Sequence, residues 1–179
     1  MRDLPDKARR LLATLKAPPR LVAHLTLVHD AASELLEALL ARWPDFSVDR
    51  DALLFGAAVH DIGKVLHPDE LFGAGHRHEQ DGPALLGGLG VTAERARFAR
   101  THGTWMNEPS VTAEDLIVAL ADHCWKGSRH EELESQIASR IADSLGIERW
   151  EVFLTLDDIL TKVANGADER LAWQRQVGG

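Results

Sequence analysis

Hydrophobic positions recur with helical spacing along nearly the whole chain. The longest such stretch, about Arg20 to Arg42, places Leu21, Leu25, Val28, Ala32, Leu35, Leu36 and Leu39 in one stripe. Ala17-Pro18-Pro19 separates it from a short helix over about Pro5 to Lys16, and Pro19 can start it. Trp43-Pro44-Asp45 ends it. A third helix, capped by Asp49 or Ser47, finishes near Asp61, with Gly63 just beyond as the stop signal. A Gly/His-rich loop covers Leu71 to Arg77. The next helix runs from about His78 to the glycines Gly87, Gly88 and Gly90. Thr92 caps a helix through Arg100, and Thr112 with Asp115 makes a capping box for one through Trp125. Two or three more cover Glu131 to Leu145, Arg149 to Ala164 and Asp168 to Gln174. No strand, repeat or linker stands out, so the pattern predicts a single all-α domain.

Composition changes this picture little. A chain of 179 residues, 45% apolar and 27% charged, can bury a full core. One cysteine excludes an intrachain disulfide and fits a reducing cytoplasm. No stretch approaches ~18 uninterrupted apolar residues, so no membrane span is expected, and Met1-Arg2-Asp3-Leu4-Pro5 lacks the apolar core of a signal peptide. A net charge of −8 disfavours an extended nucleic-acid surface but leaves room for a local basic pocket that takes a small phosphorylated ligand. Nine histidines and no tyrosine direct attention to metal binding.

The chemistry starts at His60-Asp61, which closes the apolar run Leu53 to Val59. An ionised carboxylate inside a protein must be compensated or neutralised. A divalent metal compensates it, and imidazole beside carboxylate suits such ions. Other polar residues interrupt apolar patterns in the same way. His24 lies within the long stripe, His78 opens a helix, His102 follows one, and Asp122 breaks the run Leu116 to Ala121. His24 is preferred to His29, because counting from His29 puts Ser33 and Glu37 where apolar residues are needed. His78 is preferred to His76 for its spacing to Gly82. Four histidines and two aspartates on five segments can converge on one or two metals. His67, His123 and His130 read as surface or supporting residues, and Cys124 as a small core residue. Arg77, Trp105, Lys126 and Arg129 flank the candidates and suit phosphate or base contacts.

In order and setting these segments resemble the HD-domain superfamily of metal-dependent phosphohydrolases, over roughly His24 to Asp122. His24-x3-Val28-x3-Ala32 is similar to the family's first element, and Ala57-Ala58-Val59-His60-Asp61-Ile62-Gly63-Lys64 to its second. His78-Glu79-x2-Gly82-x2-Leu85-Leu86, His102 and Leu116-Ile117-x-Ala119-Leu120-Ala121-Asp122 resemble the rest. The resemblance implies a compact HD-domain-like helical bundle spanning 1–179. Its motif-bearing core covers about 20–126, and helices over about 130–175 pack on it. It implies a first metal on His24, His60, Asp61 and Asp122, and a second on Asp61, His78 and His102, with Asp61 bridging. It also implies hydrolysis of a small phosphorylated molecule, such as a nucleotide, by metal-activated water, with Asp61 and Lys64 as catalytic residues. Lys64 would stabilise charge on the phosphoryl oxygens. Manganese, iron, cobalt, nickel, zinc and magnesium all fit, and the histidines favour the transition metals over magnesium.

Departures narrow the substrate. Where some two-metal members have a His pair, this chain has His102-Gly103. The Glu-Asp pair of the alarmone-hydrolysing branch is replaced by Lys64-Val65. The Gly-Tyr-Pro signature of the cyclic-dinucleotide branch is missing in a chain without tyrosine. Both substrate classes are disfavoured. Some HD-domain proteins with a similar ligand order use two irons to activate oxygen, so an oxygenase remains an alternative. A non-catalytic metal-containing binding module is another.

Overall fold

The computed structural model describes residues 1–177, and among them every regular element is helical. In chain order the α-helices are α1 (Asp6–Thr14), α2 (Pro19–Arg42), α3 (Arg50–Val59), α4 (Arg77–Gly88), α5 (Ala93–Ala96), α6 (Phe98–Thr104), α7 (Ala113–Cys124), α8 (Glu131–Leu145), α9 (Arg149–Asn165) and α10 (Ala167–Val177). Short 3-10 turns occupy Ile62–Val65, Pro68–Leu71 and Trp105–Asn107. No helix among the described residues is long and apolar enough to cross a membrane.

The long stripe lies on α2. Leu21, Leu25, Val28, Ala32, Leu35, Leu36 and Leu39 are all completely buried. The burial goes beyond one stripe, because Ala23, Leu27, Ala31 and the polar His29, Asp30 and Ser33 are buried as well. A helix buried nearly all round is a central one. Here α3, α7, α9 and α10 all pack around α2. The core has two parts. A larger cluster joins the C-terminal half of α2 to α3, α7, α8 and α9. A smaller one joins α1, the start of α2, the end of α3, and Leu86 of α4. Leu21 and Leu25 belong to the smaller cluster and Leu27 and Val28 to the larger, so His24 falls where the two meet.

Local signals explain several boundaries. Pro19 opens α2, and Asp49 caps α3 by accepting the Ala52 N–H at 2.9 Å. The capping box of α7 is present, with the Thr112 N–H donating to Asp115 Oδ2 at 3.0 Å. Two expectations need correction. The helix read from Thr92 through Arg100 is two pieces, α5 and α6, broken at Arg97, and the Thr92 side chain makes no capping bond. Arg97 keeps helical dihedrals at the break and donates from Nε to both oxygens of the buried Asp115, 3.0 Å to each. Gly63 is not a left-handed helix stop. It lies inside the 3-10 turn after Asp61, and its value is its missing side chain.

Candidate metal centre

Six elements bring the sequence candidates together. His24 comes from α2. His60 ends α3, and Asp61 precedes the 3-10 turn Ile62–Val65. His78 is in the first turn of α4, His102 lies within α6, and Asp122 lies near the end of α7. A Cβ at Gly63 would collide with the His78 backbone carbonyl. Glycine there allows the turn after Asp61 to lie against α4, and this contact carries His78 to Asp61.

Asp61 is the hub, and its two oxygens divide the imidazoles. Oδ2 lies 3.0 Å from His24 Nε2 and 3.8 Å from His60 Nε2. Oδ1 lies 3.0 Å from His78 Nε2 and 3.4 Å from His102 Nε2. The donor atoms of His24, His60 and Asp61 lie within 4.8 Å of one another, and those of Asp61, His78 and His102 do likewise. Either group can hold a metal ion. Asp122 sits beside the first group, its Oδ1 at 3.3 Å from His24 Nε2 and 3.5 Å from His60 Nε2.

The donor chemistry fits a divalent transition metal. His60 Nδ1 donates to the Ala57 carbonyl at 2.9 Å, and His102 Nδ1 to the Phe98 carbonyl at 3.0 Å. A carbonyl only accepts, so each bond fixes the proton on Nδ1 and leaves the Nε2 lone pair facing the centre. His78 Nδ1 is 2.6 Å from Glu70 Oε2, a contact with the same effect. Nitrogen and carboxylate donors in this proportion suit manganese, iron, cobalt, nickel or zinc.

Electrostatics show what compensates the buried charge. Burial opposes ionisation of Asp61, but the surrounding imidazoles, His60 first and then His102, His24 and His78, hold its carboxyl well below the usual range. Asp122 is held down against burial by His24 and His60. Burial also opposes a charge on His24, yet hydrogen bonds to Asp122 and Asp61 push it up to about 9. Burial pushes His60 down. In the metal-free protein a proton on His24 thus supplies positive charge between two carboxylates, where an ion would otherwise supply it.

Lys64 Nζ lies 2.5 Å from Asp61 Oδ2, so its charge is engaged with the same oxygen that faces His24. A cleft of about 220 Å³ opens over His24 and Asp61, lined also by Arg20, Leu21, Lys64, Leu71, Trp125 and Gln174. Three of the flanking residues anticipated for phosphate or base contacts are engaged elsewhere. Arg77 pairs with Glu70 and Asp69, Arg129 pairs with Glu134 and Asp157, and Trp105 is buried against His130. Arg20 was detectable in principle, one helical turn before His24 on α2. Gln174 was not, because its place depends on how α10 packs. Glu70 was missed too, although a glutamate in Pro68-Asp69-Glu70-Leu71 is unremarkable until it is seen to be buried.

The competing histidines separate cleanly. His29 is buried away from the centre, with no partner for its Nδ1 among the described residues. His76 is exposed and bonds Glu79 at 2.8 Å. That carboxylate lies where a Cβ at position 103 would sit, so a second histidine after His102 would have to displace it. His67 pairs with Asp81 at 2.6 Å. Cys124 is a buried core residue, its thiol pushed up to about 12 by burial.

The family model of the HD domain matches residues 21–125. No curated protein and no solved structure matches the chain. The matched span contains His24, His60, Asp61, His78, His102 and Asp122, and α8 to α10 lie outside it. It covers more than half of the sequence, and the chain belongs to the HD-domain family.

Proposed function

We propose that this chain is a metal-dependent phosphohydrolase acting on a small phosphorylated molecule such as a nucleotide. The observation that carries this reading is Asp61, whose two oxygens divide four imidazoles beneath a cleft containing Arg20 and Lys64. His24, His60, Asp61 and Asp122 would hold one divalent ion, and Asp61, His78 and His102 would hold a second. A divalent metal bound there polarises a phosphoryl oxygen and lowers the pKa of water to about 7, so that hydroxide is available near neutral pH. The side chains do the rest. Arg20 forms no ion pair among the described residues; its Nε donates to the Leu71 carbonyl at 3.3 Å, and its guanidinium lies over Phe72. It is free to hold an anionic group at the cleft mouth. Lys64 sits between Asp61 and the cleft and neutralises charge that develops on the phosphoryl oxygens. Leu21, Leu71 and Trp125 offer an apolar wall to the organic part of the substrate.

The same imidazoles would also suit two irons that activate oxygen. The two cations in the cleft favour a phosphorylated substrate and therefore hydrolysis. The deciding experiment loads the protein in turn with manganese, iron, cobalt, nickel, zinc and magnesium and measures phosphate release from a panel of phosphoesters. Turnover with at least one metal, lost in Asp61→Asn, is expected. No phosphate release with any ion, together with oxygen consumption by anaerobically iron-loaded protein, would favour the oxygenase.

We also propose that residues 1–179 form one folding unit, a motif-bearing core of about 20–126 with the C-terminal helices packed on it. Supporting this, α8 packs on α7, and α9 and α10 on α2. Helical and tryptophan signals should therefore unfold in one coincident transition.

A further inference from the structure

We propose that Glu70 is the positioning residue of the second metal position, acting through His78. This role presupposes the two-ion reading above. Glu70 sits in the 3-10 turn Pro68–Leu71, only 5% exposed. A buried carboxylate on a connecting turn is costly unless it is fully bonded. Glu70 is, and its bonds are divided like those of Asp61. Oε1 accepts the Arg77 backbone N–H at 3.1 Å and Arg77 Nε at 2.9 Å. Oε2 accepts the His78 backbone N–H at 3.2 Å and lies 2.6 Å from His78 Nδ1. Arg77 thus anchors one oxygen and leaves the other for the imidazole.

The three orienting contacts around Asp61 are not equivalent. His60 and His102 each donate to a neutral backbone carbonyl of their own segment. His78 alone is oriented by a carboxylate, from a different element. Charge gives this asymmetry a purpose. The group of His24, His60 and Asp61 has a second carboxylate at hand, Asp122. The group of Asp61, His78 and His102 has only its share of Asp61. Glu70 places a negative charge directly behind His78, which makes that imidazole a stronger donor and offsets part of a second ion's charge. Without it, the ion at Oδ1 would face two neutral imidazoles and half of a shared carboxylate. Gly75 protects the arrangement, because a Cβ there would collide with the Glu70 carboxylate.

The test uses zinc as a diamagnetic probe, titrated calorimetrically into the full chain and into Glu70→Gln, Gly75→Ala and His78→Ala, with nitrogen-15 spectra of the histidine rings. Wild type should take two ions and His78→Ala one. Glu70→Gln should still take two, with affinity for the second lowered on the order of 10–100-fold and the first unchanged. The His78 Nδ1–H resonance should shift in Glu70→Gln while those of His60 and His102 hold. Gly75→Ala should weaken the second ion in the same direction, so the proposal stays testable if Glu70→Gln folds poorly. Second-ion affinity at the wild-type value in both variants, or an unmoved His78 resonance, would overturn the role of Glu70 while leaving the two-ion reading intact. A wild-type protein that takes one ion, with no change in His78→Ala, would overturn the two-ion reading itself.

Discussion

His24 holds a proton that a metal bound beside it would have to displace. Its pKa is raised from 6.5 to about 9 by Asp122 and Asp61, which overcome the opposing effect of burial. A raised histidine stabilises the metal-free fold fully below pH 6.5, and the contribution is lost as pH rises through about 9. Metal-free wild type should therefore gain stability over His24→Gln at pH 6, and the gain should vanish near pH 10. Metal uptake at pH 7 should release protons, visible as a binding enthalpy that varies with the ionisation enthalpy of the buffer. An enthalpy independent of buffer would contradict the protonated state of His24. The choice of His24 over His29 was legible in the sequence because it depends on the phase of one helix, which the apolar residues of α2 report directly. The place of Glu70 was not, because it depends on a contact between two loops that leaves no periodic trace.

At the scale of elements, glycines and caps decide how the ligands meet. Gly63→Ala forces the turn after Asp61 away from the His78 carbonyl. Overpacking of this kind costs about 1–3 kcal/mol. The variant should lose that much in denaturant unfolding and bind the second ion more weakly than the first. Wild-type stability would mean that the turn relaxes without strain. Asp115 is completely buried, where it accepts from Arg97, from Thr101 Oγ1 at 2.7 Å, and from the Thr112 N–H. Asp115→Ala removes the reciprocal half of the α7 capping box and takes the buried carboxylate away from Arg97, a loss of about 3–5 kcal/mol. The capping box was legible because both partners lie three residues apart. The break between α5 and α6 was not, since no glycine or proline marks Arg97, and its partner Asp115 lies on another helix. The close approach at Gly63 was likewise misread as a stop signal, because sequence shows a glycine but not the backbone opposite it.

Across the whole molecule, the dipeptide His29-Asp30 on α2 joins distant parts of the fold. Asp30 accepts the Arg2 backbone N–H at 2.9 Å, and its Oδ2 lies 3.7 Å from Arg170 Nε. Arg170 is 2% exposed, pairs with Glu34, and donates from Nη1 to the Val163 carbonyl at 2.8 Å. The N-terminus and α10 are thereby tied to the central helix. The same α10 carries Gln174 to the cleft mouth. Arg170→Ala should destabilise by up to about 3–5 kcal/mol, because it takes the buried cation away from Asp30 and empties the space it fills. In the folded variant, KM should rise while metal content stays normal. Loss of metal instead would mean that α10 supports the ligands themselves. The helical character could be read from sequence because it repeats a local pattern, and so could the polar breaks at His24, His60, Asp61 and Asp122 that the fold brings together. How the last helix closes over the centre could not, since no local signal links residue 170 to residue 34.

Soaking crystals of the protein in manganese and locating the ions by anomalous scattering tests the shared role of Asp61 most directly. Two ions should appear, one at Oδ2 with His24, His60 and Asp122, the other at Oδ1 with His78 and His102. A single ion, with the imidazoles of His78 and His102 turned away from it, would contradict the two-metal centre.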